Sequence, residues 1–130
     1  MNEKFFLEIV SPEKSFLKKD NVIEVVIPAF EGEMGILKDH ISLISFLKPG
    51  IIKINSGNDE NSFYVDDGIV EFKDNNLSIL TSNIFDISNT DKVKIQEMIK
   101  EAESDLASEN LDDQRRFIIS QKVEVLSSLN

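Results

Sequence analysis

"SLISFLKPGIIKINSGNDENSFYVDDGIVEFKDNNLSILTS", residues 42–82, divides into five short apolar runs separated by turn residues. The runs are "SLISFL" (42–47), "GIIKIN" (50–55), "SFYVD" (62–66), "GIVEFK" (68–73) and "LSILTS" (77–82). Pro49-Gly50, Ser56-Gly57-Asn58, Asp67-Gly68 and Asp74-Asn75-Asn76 punctuate them. Strands at roughly 8–12-residue spacing with such connections predict an antiparallel β-sandwich or barrel. Asp66-Asp67-Gly68 reads as a hairpin turn within it. Alternate positions Ile52, Ile54, Phe63, Val65, Val70, Phe72, Leu77 and Ile79 are apolar and form the expected core face. On the opposite face Ile51, Tyr64, Ile69 and Leu80 stand among Lys53, Asp66, Glu71, Lys73 and Ser78. They read either as scattered surface apolar residues or as a second interface, for a helical element or another subunit.

Upstream, "KFFLEIV" (4–10) and "KSFLKK" (14–19) flank the turn Ser11-Pro12-Glu13, and "NVIEVVI" (21–27) follows with Ile23, Val25 and Ile27 on one face. Downstream of Asp86 the period changes. Ser88, Asn89 or Thr90 is a candidate cap for a helix beginning near Asp91. Ile95, Met98, Ile99, Ala102 and Leu106 recur at helical spacing. Ser108-Glu109-Asn110 breaks that run, with Asn110 a candidate cap for a second helix. Leu111, Ile118, Ile119, Val123, Leu126 and Leu129 line its apolar side. The expected division is a β-sandwich over 1–86 and an antiparallel helical hairpin over 87–130. Two helices bury little on their own, so the hairpin must lean on the sandwich or on a partner.

The chain has 130 residues, 41% of them hydrophobic, enough for one packed domain with an appendage. It has no cysteine, which excludes disulfides and thiolate metal sites, and a reducing compartment is expected. Met1-Asn2-Glu3-Lys4 runs straight into alternating residues without a signal-peptide pattern, and no apolar run approaches the roughly 20 residues of a membrane span. The formal net charge of −10 repels nucleic acid and anionic lipid, so neither is expected as a partner.

The chemistry available is sparse. His40 is the single histidine, which gives a triad or metal cluster little to build on. Glu31/Glu33, Asp66/Asp67 and Asp112/Asp113 are close in sequence, but immediate neighbours point apart. Glu31-Gly32-Glu33-Met34-Gly35 lacks the lysine of a phosphate loop, and its carboxylates repel phosphate. Neither an active site nor a cofactor is expected. "PAFEGEMGILKDH" (28–40) is read as an exposed contact loop, with Ile36-Leu37 anchoring its centre in the core while Glu31, Glu33, Lys38, Asp39 and His40 project outward.

"PAFEGEMGILKDHISLISFLKPGIIKI" (28–54) resembles the signature of the epsilon subunit of bacterial F-type ATP synthases. "VDDGIVEFKDNNLSILTSN" (65–83) resembles its second block, and "FFLEIVSPEKSFL" (5–17) also fits. The family's Pro-Gly before the histidine is Lys38-Asp39 here, its Pro-Gly after the third strand is Pro28-Ala29, and its glycine pair is Asp67-Gly68. The resemblance implies a non-catalytic rotor part at the foot of the central stalk, on the cytoplasmic face of the membrane and attached only through the complex. Its sandwich would bind the gamma subunit and rest on the ring of c subunits. Glu31, Glu33 and His40 are the implied c-ring contacts, with a structural role for His40 as the alternative. The hairpin would be regulatory, reaching a beta subunit to block ATP hydrolysis through Arg115, Arg116 and Lys122. Residues 89–130 carry nine acidic and six basic residues, so attraction to an acidic target would be local and salt-sensitive. The family's ATP-binding motif falls on Asp91 and Lys94, where lysine replaces an arginine fork and Ile95 replaces a small residue. Weak or absent ATP binding is the expectation. The alternative reading is a stand-alone β-sandwich binding module with a helical lid, and a third is a small enzyme, which would need a pocket lined by carboxylates.

Overall fold

Period-two alternation becomes strand almost continuously from Phe5 to Asp86 in the computed structural model, which describes residues 3–12, 14–108 and 110–129. The strands are β1 (Phe5–Ser11), β2 (Lys14–Val22), β3 (Glu24–Ala29), β4 (Gly32–Leu37), β5 (Leu43–Leu47), β6 (Gly50–Asn55), β7 (Glu60–Val65), β8 (Gly68–Lys73), β9 (Asn76–Leu80) and β10 (Ile84–Asp86). A single 3-10 turn, Ile87–Asn89, leads into helices α1 (Lys92–Leu106) and α2 (Asp113–Ser128). Glu13 and Glu109, read as parts of a turn and of a helix break, lie outside the described residues, as do Met1, Asn2 and Asn130.

The strands pair along one path, β10-β7-β6-β3-β5-β8-β9-β1-β2, with β4 added on β3. Pairing is antiparallel except between β1 and β9, where Phe6–Val10 run beside Asn76–Leu80 in parallel. The path folds over at β3–β5, which pair at Ala29 and Leu47. Its far parts come together: Phe16 of β2 meets Phe63 of β7 edge-on at 5.4 Å. The inner faces of both layers then fill one core. Leu7, Ile9, Val25, Ile27, Ile36, Leu47, Ile52, Ile54, Val65, Val70, Phe72, Leu77 and Ile79 are all buried there. The eight positions expected as the core face are among the buried residues.

Three local readings change. Residues 28–37 are not loop apart from the Phe30-Glu31 turn: β3 and β4 form a hairpin in register from Glu24/Leu37 to Ala29/Gly32. Alternation on β4 buries Ile36 but leaves Leu37 53% exposed, so only the first of the pair is an anchor. The run 21–27 is not one strand. It breaks at Ile23, so Val22 of β2 and Val25 of β3 both point inward. Asp66-Asp67-Gly68 is not a hairpin turn, because β7 pairs with β6 and β10 while β8 pairs with β5 and β9. The three residues carry the chain between layers. A Cβ on Gly68 would lie 2.5 Å from the Leu80 carbonyl oxygen, so this crossing needs glycine for its close approach. A two-residue hairpin turn does lie at Asp74-Asn75, with φ of 51° and 59° joining the Lys73/Asn76 pair.

Both caps fall later than expected, by one to three residues in α1 and by two in α2, while α1 begins close to Asp91 as expected. Asp91 caps α1, its carboxylate accepting from Val93 N at 2.9 Å. Asp112, rather than Asn110, caps α2 by accepting from Arg115 N at 2.7 Å. The helices pack on each other and on the outer face of β6 and β7. A second cluster of buried side chains holds them there: Tyr64, Phe85, Ile95 and Leu126, with Ile51, Met98, Ile99 and Val125 around it.

Candidate functional site

The outer-face apolar residues separate into two groups. Ile51 and Tyr64 lie under the hairpin, and Tyr64 stacks on Phe85 with ring centres 5.0 Å apart. Ile69 and Leu80 stay uncovered. Cross-strand register places Phe46 beside Ile69 and Ile69 beside Leu80, which makes a row across β5, β8 and β9. These three side chains are 60%, 44% and 52% exposed. Phe30, from the β3–β4 turn, and Pro12 join them around a shallow groove that Leu47, Asp67, Gly68, Thr81 and Ser82 complete. Phe46 and Phe30 escaped notice in the sequence. The available signal was "SLISFL", where Leu43 and Leu47 alternate with Ile44 and Phe46, so both faces of β5 are apolar.

Glu31 and Glu33 are exposed at the Gly32 end of β4. Glu31 borders a cleft with Phe30, Ile44 and Phe46 on one side and Gln114 and Ile118 of α2 on the other. Glu33 borders another with Lys48, Lys53, Gln121 and Val125. His40 lies past the opposite end of β4. Six strand residues separate it from Glu31, roughly 20 Å at the usual rise, and four separate it from Glu33. The three candidate contact residues therefore do not form one patch. His40 is half-buried, its ring edge-on to Phe72 at 5.9 Å. Its Nδ1 is 2.8 Å from the Ile41 carbonyl oxygen, which only accepts, so the ring donates from Nδ1. At this turn Ile41 is a large apolar residue left 79% exposed.

The basic residues of α2 are also distributed. Arg115 is exposed. Arg116 donates from Nη1 to the Leu106 carbonyl at 3.2 Å, satisfying an acceptor at the C-terminal end of α1. Lys122 points at the sheet, with Nζ 3.3 Å from both Asp66 carboxylate oxygens. Asp66 is shared further: Tyr64 donates its hydroxyl at 2.8 Å and Asn83 its amide at 3.1 Å. Burial, and then the Asp66 charge, push the Tyr64 hydroxyl well above its ordinary value, so it remains a neutral donor. Asp91 is engaged as a helix cap, and Lys94 is exposed beside it.

Among the described residues no three metal-ligating side chains gather, and no helix is long and apolar enough to cross a membrane. The clefts are shallow and lined by mixed or apolar residues, which suits protein contact better than the binding of a small molecule.

Residues 4–87 match the model of the family described as "ATP synthase, Delta/Epsilon chain, beta-sandwich domain". The ATP synthase epsilon chain of Pelagibacter ubique is 61% identical over 130 residues, covering all of both chains. That of Parvibaculum lavamentivorans is 33% identical, covering 99% of this chain and 97% of its own. The mitochondrial ATP synthase subunit delta of Schizosaccharomyces pombe is 30% identical, covering 98% and 77%. Among solved structures, a chain of the Euglena gracilis mitochondrial ATP synthase (OSCP/F1/c-ring) superposes with a TM-score of 0.78 over 97% of this chain and 81% of its own. At 23% identity it supports the fold. Sandwich, hairpin and full-length similarity agree, and the chain belongs to the ATP synthase delta/epsilon chain family.

Proposed function

We propose that this chain works as the epsilon subunit of the ATP synthase central stalk, a non-catalytic rotor part built of a sandwich (1–86) and a hairpin (87–130). The observation that carries this reading is the row Phe46–Ile69–Leu80, open to solvent on a sheet whose other outer half is covered by the helices. An uncovered cross-strand apolar row bordered by polar side chains is the expected form of a permanent protein interface. We assign it to the gamma subunit. The β3–β4 hairpin and the turn after it, spanning Ala29 to Ser42, face the c-ring in this reading. Glu31 and Glu33 act at one end, and His40 sets the turn at the other. Membrane association comes only through the complex, at the cytoplasmic face.

The hairpin is a conditional brake in the same reading. Arg115, Arg116 and Lys122 are its cations for an acidic beta-subunit target. Arg116 and Lys122 must first leave Leu106 and Asp66. Asp91 caps a helix and Lys94 lacks a bidentate fork, so nucleotide binding at this pair is weak or absent. The test is ATP hydrolysis by F1 depleted of its epsilon subunit, titrated with the full chain and with a chain ending at Ser88. Inhibition by the full chain alone makes the hairpin the brake. Equal effects of both, with gamma binding retained, leave a coupling part without one. Failure of the full chain to bind gamma returns the molecule to a stand-alone binding module.

A further inference from the structure

The turn between β4 and β5, residues 38–42, belongs to neither strand pairing. β4 pairs only with β3, and β5 pairs with β3 and β8, so the turn crosses between the two layers. A turn of this kind is ordinarily mobile. Here it is tied sideways to a hairpin 36 positions further on. Asp39 N donates to Asn75 Oδ1 at 2.7 Å, and Asn75 Nδ2 donates back to Asp39 Oδ1 at 3.0 Å. Both residues hold left-handed backbone, with φ of 65° and 59°. Asp and Asn tolerate that region better than other side chains bearing a Cβ, though less well than glycine. Asn75 is itself fixed, because its carbonyl accepts from Phe6 N at 3.1 Å on β1. His40 reinforces the arrangement through Phe72 on β8 and through its own N–H to the Leu37 carbonyl.

Asp39 is exposed and lies outside the core, so the fold gains little from placing it in an unfavourable conformation. What the two reciprocal bonds achieve is orientation. With them in place, Ile41 and Ser42 project outward at a set position relative to β8 and β9. We propose that Asp39 and Asn75 form a positioning clamp that preforms the 38–42 turn for contact with the c-ring. This rests on the c-ring reading above. A preformed turn loses less conformational freedom on binding than a mobile one, so the clamp raises affinity without touching the partner.

The chemistry supplies its own rescue. Asn75→Asp removes the side-chain donor and sets two carboxylates against each other. Adding Asp39→Asn restores the side-chain bond with its direction reversed, so that both bonds run from position 39 to the carboxylate at position 75, and both residue types still accept positive φ. In the isolated full chain, amide exchange at Asp39 and His40 is expected to rise about tenfold in Asn75→Asp, the scale of one or two exposed hydrogen bonds, and to return in the double variant. Exchange in β6 and β7 serves as the control for folding. In ATP synthase depleted of this subunit, the concentration needed to restore coupled ion pumping is expected to rise about fivefold to tenfold for Asn75→Asp and recover in the double variant, with the plateau unchanged. Unchanged exchange, unchanged affinity, or no recovery in the double variant overturns the clamp. A photo-crosslinker at Ser42 tests the partner separately. Attachment to c subunits supports it, and attachment to another subunit only removes the c-ring reading while the exchange result still judges the clamp.

Discussion

Lys122, midway along α2, lies with its Nζ 3.3 Å from the carboxylate of Asp66, which follows the end of β7. Among the described residues this is the only ion pair joining the helices to the sheet. Both side chains are largely shielded, at 27% and 20% exposed. The two ends are not equal in consequence. Without Lys122, Asp66 keeps Tyr64 and Asn83. Without the Asp66 carboxylate, a buried tyrosine hydroxyl loses its acceptor. Lys122→Ala is therefore expected to destabilise hairpin docking by about 0.5–1 kcal/mol, and Asp66→Ala by about 1 kcal/mol more. Amide exchange in α1 and α2 measures both. Equal effects would show that the Tyr64 bond has no part in docking.

The hairpin's own cluster is small, and Leu126 is fully buried in it. Leu126→Ala is expected to cost about 2–4 kcal/mol from lost burial and the cavity left behind. The loss should fall on the helices. They are expected to lose exchange protection while β6 and β8 retain theirs, since those strands are held mainly by the separate core around Ile52, Ile54, Val70 and Phe72. Uniform loss across the sheet would instead show one cooperative unit.

Tyr64 gives a pH signature. Its folded-state value is raised, while the unfolded tyrosine titrates near 10. Below about pH 10 both states are protonated, and the contribution is fully present. Above it the unfolded chain releases a proton that the folded chain retains, so stability declines by up to about 1.4 kcal/mol per pH unit. Tyr64→Phe is expected to lose about 1 kcal/mol at neutral pH, with Asp66 forfeiting a donor, but to show a shallower decline above pH 10. Urea titrations between pH 8 and 11 compare the two, and parallel declines would contradict the assignment.

Much of this architecture was legible because alternation and turn chemistry are local. Ile52, Ile54, Val70, Phe72, Leu77 and Ile79 announce an inner face by period alone, and the shift to helical spacing at Ile95 marks the hairpin. What the sequence did not disclose depends on pairing partners. Asp66-Asp67-Gly68 has the composition of a hairpin turn, and only the topology makes it a layer crossing. The glycines of 32–35 suggested a loop, yet the backbone there is paired strand on β3. The division of the outer face was likewise invisible. Tyr64 and Leu80 look alike in an alternation pattern, and the packing of Leu126 decides that one is covered and the other free. Glu31 and His40 lie close in sequence, but an intervening strand holds them at opposite ends.

The most direct test of the central claim is the affinity of the full chain for the gamma subunit, compared with a Phe46→Asp variant. Phe46 is 60% exposed and outside the core, so the substitution is expected to leave thermal stability almost unchanged. The account predicts firm binding by the native chain and a loss of at least about thirtyfold in the variant, the value of roughly 2 kcal/mol for an aromatic side chain withdrawn from an interface and a charge put in its place. Equal affinity of the two chains for gamma would contradict the assignment of the Phe46–Ile69–Leu80 row, and absence of binding by the native chain would contradict the proposed function itself.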